Sequence, residues 1–97
     1  MDRANEGWDA ATRRLKVMFD EMRNEQIKQQ GNAFFYAMDA EAEVVSACAK
    51  IVLEEADSHN LSSEEALRMM YHFSICANVM YEEYKKFCIE KWGPRTI

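Results

Sequence analysis

Apolar residues recur at spacings of three and four along most of this chain, and that rhythm predicts helices. Trp8, Ala11, Leu15, Met18, Phe19 and Met22 make the first stripe. Arg13, Arg14, Lys16, Asp20, Glu21 and Arg23 take the other positions. From Arg23 to Asn32 the stripe thins to Ile27 alone. Gln29-Gln30-Gly31-Asn32 reads as a helix–helix joint, with Gly31 past one helix end and Asn32 capping the next. A joint at Asp39 is the other option, since Asp39 is a good cap and Glu41 and Glu43 suit a first turn. The joint at Gly31 is preferred.

A second stripe follows in Phe34, Met38, Val45, Cys48, Ala49, Val52 and Ala56, with Phe35 and Ile51 at its margins. Asp57-Ser58-His59-Asn60 is a cluster of residues that hydrogen-bond their own backbone, so it predicts a turn. The turn is short, which makes the helices on either side antiparallel neighbours.

The longest element runs from Leu61 to Trp92. Ser62 and Glu65 form a capping box, each side chain able to satisfy the other residue's backbone N–H. Trp92-Gly93-Pro94 closes it, because Gly can take a left-handed cap and Pro cannot continue a helix. The main face is Ala66, Met69, Met70, Phe73, Cys76, Ala77, Met80, Tyr84, Phe87 and Cys88. A second apolar row, Leu67, Tyr71, Ile75 and Val79, runs along the other side. Arg68, His72, Glu82, Glu83 and Lys86 frame it. A helix covered on one side only has no need of such a row.

These patterns predict an all-α fold of three long helices, about 5–30, 33–57 and 63–92, in a single domain over 1–97. The expected architecture is an antiparallel helical bundle completed by homodimerisation, because rods this long make a thin bundle when only three pack together. Three glycines and one proline in 97 residues fit long helices and disfavour a turn-rich β fold.

Charge changes the functional picture more than the fold. The net charge is −5. Residues 1–30 and 61–97 are each balanced. The excess lies in 31–60, where Asp39, Glu41, Glu43, Glu54, Glu55 and Asp57 face Lys50 alone. A nucleic-acid binder shows the opposite sign, so direct DNA or RNA binding is not expected. Cys48, Cys76 and Cys88 sit in helical stripes without CxxC spacing. They read as buried reduced thiols, and the expected location is cytoplasmic. No apolar run approaches the length of a membrane span, and no signal peptide is recognisable.

Candidate chemistry is sparse. No Glu-x-x-His pair exists for a di-metal bundle, and Glu55 with His59 gives too few ligands for zinc. Tyr71 beside His72 suggests an acid–base pair only weakly, since no nucleophile stands next to a base. The glycines stand alone, so no loop cradles phosphate. No metal or cofactor is expected.

Three functional readings follow. In the first, the chain is a non-enzymatic regulatory interaction module, an inhibitor or antiactivator that covers a functional surface of a partner protein. A transcription regulator or host machinery is the kind of partner that size and style suggest. Leu67, Tyr71, Ile75 and Val79 would make the contact, with Tyr81 and Trp92 as anchors. In the second, Glu41, Glu54, Glu55 and Asp57 hold Mg²⁺ in a small helical nucleotide hydrolase. In the third, an acidic ridge of Asp39, Glu43, Glu54 and Asp57 occludes a partner's nucleic-acid-binding surface.

Overall fold

The computed structural model describes residues 3–32 and 41–93, with the side chains of 41–43 left aside. Among the described residues there are three helices and no strand. They are α1 (Arg3–Lys28), α2 (Glu41–Ser58) and α3 (Ser63–Trp92). The fold is all-α. Phe34, Phe35, Met38 and Asp39, on which the second stripe and the alternative joint rest, lie outside the described residues.

One core draws on all three helices. Ala11, Leu15 and Phe19 come from α1, Ile51 and Val52 from α2, and Met69, Phe73, Tyr84 and Cys88 from α3. Helix α1 packs against both others, while α2 and α3 meet only sparsely. The α1 stripe is the one read in sequence, with Trp8, Met18 and Met22 half-buried at its edges. Helix α2 buries Val52 and half-buries Cys48 and Ala56 as its stripe predicts, but it is turned somewhat from expectation at other positions. Ile51, expected at the margin, is buried, whereas Val45 and Ala49, expected in the stripe, are exposed. A fork of ion pairs accompanies this orientation. Arg14 of α1 donates from Nη2 to Glu54 at 3.0 Å and from Nη1 to Glu55 at 3.2 Å. The fork ties the edge of α2 beside the buried Ile51 and Val52 to α1.

Both helix joints use the same cap. At the end of α1, the Gly31 N–H donates to Gln26 and the Gln30 N–H to Ile27. After α2, the Leu61 N–H donates to Ala56 and the Asn60 N–H to Asp57. These are Schellman closures, which need a left-handed residue at their centre. Gln30 (φ 55°) and Asn60 (φ 53°) fill that place. The left-handed cap of α1 thus falls on Gln30, one residue before Gly31. Gly31 is itself at φ 79°, and a Cβ on it would stand 2.5 Å from Cγ of Trp92. A glycine is needed there because the end of α3 packs directly on the backbone of the joint.

Helix α3 begins as its capping box predicts. Glu65 N–H donates to Ser62 Oγ at 3.2 Å, and Ser62 N–H donates to Glu65 Oε1 at 3.0 Å. Arg3 donates to the same carboxylate oxygen at 3.1 Å, tying the start of α1 to the start of α3. At the far end Gly93 (φ 87°, ψ 168°) lies outside the left-handed helical region, in an extended positive-φ region open essentially to glycine. The Cα trace spans 45 × 20 × 17 Å. Thirty residues of helix span about 45 Å, so α3 runs the full length. Helix α1 packs closely on α3 and α2 only sparsely, so one side of α3 is left uncovered.

Candidate functional site: the outer face of α3 and the groove beside it

Phe73 and Tyr84 point inward and are buried against α1 and α2. Two positions on from Phe73, helical geometry carries a side chain almost to the opposite face. Ile75 lies there. Leu67, Tyr71, Ile75 and Val79 are 65, 66, 50 and 52% exposed, so α3 turns an apolar outer face to solvent. Isolated exposed hydrophobes are ordinary, but a row along one helix is a contiguous patch. Ser74 Oγ donates to the Tyr71 carbonyl at 2.8 Å, a bond within the helix. The His72 ring meets Tyr71 edge-on at 5.5 Å and Trp8 at 6.1 Å. Those ring contacts give His72 a packing role beside the row.

A groove lies next to this face, between α2 and α3. Its volume is about 540 Å³. Val45, Leu53 and Cys48 form one wall, and Met70, Ala77 and Tyr81 the other. Leu53 and Met70 are exposed, which no stripe in the sequence predicts. Met70 fits the core stripe by spacing, and its exposure follows from the sparse contact between α2 and α3. Leu53 falls off every stripe, and an apolar residue that fits no stripe was the signal available.

The two aromatic anchors are placed differently from the row. Tyr81 is half-buried, 6.4 Å from Phe19, with the Lys85 ammonium 4.9 Å from its ring centre. Trp92 is half-buried against Gly31 and meets Phe87 edge-on at 5.7 Å. Trp92 therefore closes the far end of the fold and is not presented at the row.

The acidic residues are partly spent inside the fold. Glu54 and Glu55 share Arg14, whose guanidinium pKa is raised chiefly by the Glu54 hydrogen bond. His59 Nδ1 stands 3.5 Å from Glu55 Oε2. Asp57 is exposed. Asp39 and the side chains of Glu41 and Glu43 lie outside the described residues. Among the described residues, no group of three or more His, Cys, Asp or Glu side chains is placed to hold a metal ion. The three cysteines are unbridged. Burial pushes the Cys48 and Cys88 thiols up, away from the reactive thiolate form. Among the described residues, no helix is long and apolar enough to cross a membrane. Comparison with protein-family models, curated proteins and solved structures finds no match to this chain.

Proposed function

We propose that this chain is a non-enzymatic regulatory protein that acts by covering a surface of a partner protein with the outer face of α3. The observation that carries the reading is the uncovered row Leu67, Tyr71, Ile75 and Val79 on a helix that already has a complete inner core. Burying apolar area contributes about 25 cal/mol per Å², so four such side chains favour a cover of matching shape. The cover that fits a straight row at helical spacing is another helix laid along it. Aromatic and branched side chains at the centre, with charges at the ends, match the core-and-rim pattern of protein interfaces. The partner would be a cytoplasmic regulator or a component of cellular machinery, and inhibition by occlusion is the mode.

The test uses the intact chain as bait in extracts of its source cell, alongside Tyr71→Asp and Ile75→Asp. Captured proteins are identified by mass spectrometry, and binding is then measured with the purified candidate. A partner that binds the wild type and is lost by both variants, with helicity unchanged, supports the reading. A partner held equally by all three chains would place the contact elsewhere.

A further inference from the structure

We propose that a second copy of this chain covers the outer face of α3 when no other partner does, the two helices lying antiparallel about a two-fold axis at Ile75. The inference rests on the reading of that face as a docking surface and names one occupant.

Its ground is the order of charges beyond the apolar row. Positions 64, 68, 71, 75, 79, 82 and 86 follow one another at steps of 4-3-4-4-3-4. That is 22 residues in six turns, or 3.67 per turn, the period of an almost straight seam. All seven are exposed. Read along the seam they are acid, base, three apolar residues, acid, base. A two-fold axis at Ile75 sets together positions whose numbers sum to 150. Ile75 then meets its own copy and Tyr71 meets Val79. Arg68 meets Glu82, and Glu64 meets Lys86. Every charged pair is attractive, and symmetry makes each twice.

Parallel pairing and the nearest antiparallel shifts of the same seam are repulsive. A parallel pair sets Glu64 on Glu64 and Arg68 on Arg68. Moving the antiparallel axis to residue 73 sets Glu64 on Glu82, and moving it to residue 77 sets Arg68 on Lys86. Like charges across a seam select against those registers. Within one chain Glu82 takes Lys85 at 2.9 Å and Lys86 stands 3.9 Å from Glu90. Both are surface pairs of little strength, and a carboxylate can accept a second cation. Because α1 and α2 pack on the inner side of α3, two copies can meet back to back.

The seam is about 33 Å long and one helix wide. That is smaller than a standard interface of about 800 Å² per partner, so the pair should dissociate in the micromolar range. A regulator needs such a loose cover, which a partner's helix can displace.

Sedimentation of the full chain from low to high micromolar concentration tests this. The wild type should pass from monomer to dimer. Ile75→Asp and Arg68→Glu should each weaken the dimer about ten-fold or more. Adding Glu82→Arg to Arg68→Glu should bring the affinity back to within about three-fold of the wild type. A chain that stays monomeric throughout overturns the proposal. So does a dimer indifferent to Ile75→Asp, or a double variant no better than Arg68→Glu alone. A monomeric chain whose partner is still lost by Tyr71→Asp would sink the self-pairing and leave the regulatory reading standing. A dimer with the stated charge response, and a partner indifferent to Tyr71, would do the reverse.

Discussion

The indole of Trp92 occupies the space that a side chain on Gly31 would need. This one contact joins the end of α1 to the end of α3, 61 positions away in the chain. It also explains why a residue expected to anchor a partner is held within the fold.

Gly31→Ala should therefore be costly. The new methyl would press on the Trp92 ring at 2.5–2.7 Å, and a φ of 79° adds strain for any residue with a Cβ. We expect a loss of about 2–4 kcal/mol, read as a lower urea midpoint with Trp fluorescence and circular dichroism moving together. A variant as stable as the wild type would show that Trp92 moves away freely.

The start of α3 should respond to both substitution and acid. Ser62→Ala removes the cap that accepts from Glu65 N–H and should cost about 1 kcal/mol. The Glu65 carboxyl is held below the usual carboxylate range, first by the Ser62 backbone N–H, with Arg3 also contributing. A depressed acid stabilises the fold above its unfolded value of 4.5 and loses that contribution as pH falls below it. Glu65→Gln should accordingly flatten the acid side of a stability–pH curve. An unchanged acid limb would mean that other carboxylates set it.

Alkaline unfolding should involve Tyr84. Its ring is buried, and burial pushes the phenol up to about 12 from 10. The folded chain holds this proton more tightly than the unfolded chain. The contribution is whole below pH 10 and is lost as pH rises toward 12. The buried Cys88 thiol works in the same direction. Tyr84→Phe should weaken the fall of stability above pH 10. Tyrosinate absorbance followed beside circular dichroism checks this. A full tyrosine titration that ends before the helix signal falls would count against it.

The Arg14 fork should contribute little to net stability. Arg14, Glu54 and Glu55 remain partly solvated, so each pair contributes less than about 1 kcal/mol and is weakened by salt. A double-mutant cycle with Arg14→Gln and Glu55→Gln should give a coupling below that value. A coupling several times larger would mark the pair as screened from water.

Much of the fold was legible because it depends on near neighbours. The Ser62–Glu65 cap spans three residues, and the stripes of α1 and α3 repeat within a turn. Helix α2 was read less well. Its stripe holds Val52, which is buried, but also Val45 and Ala49, which are exposed, and it leaves the buried Ile51 at the margin, because α2 is turned toward α1, an element distant in the chain. No spacing within α2 contains that information.

The chain's own order of residues determined an all-α molecule, the extent of α3, and a row of apolar side chains in excess of what one inner face requires. Tertiary structure alone decided that Trp92 turns onto Gly31, that Glu54 and Glu55 share Arg14, and that a groove opens where α2 and α3 meet only sparsely. The reason is range. Helix identity follows from contacts three or four residues apart, whereas exposure and pairing follow from which distant segment arrives alongside.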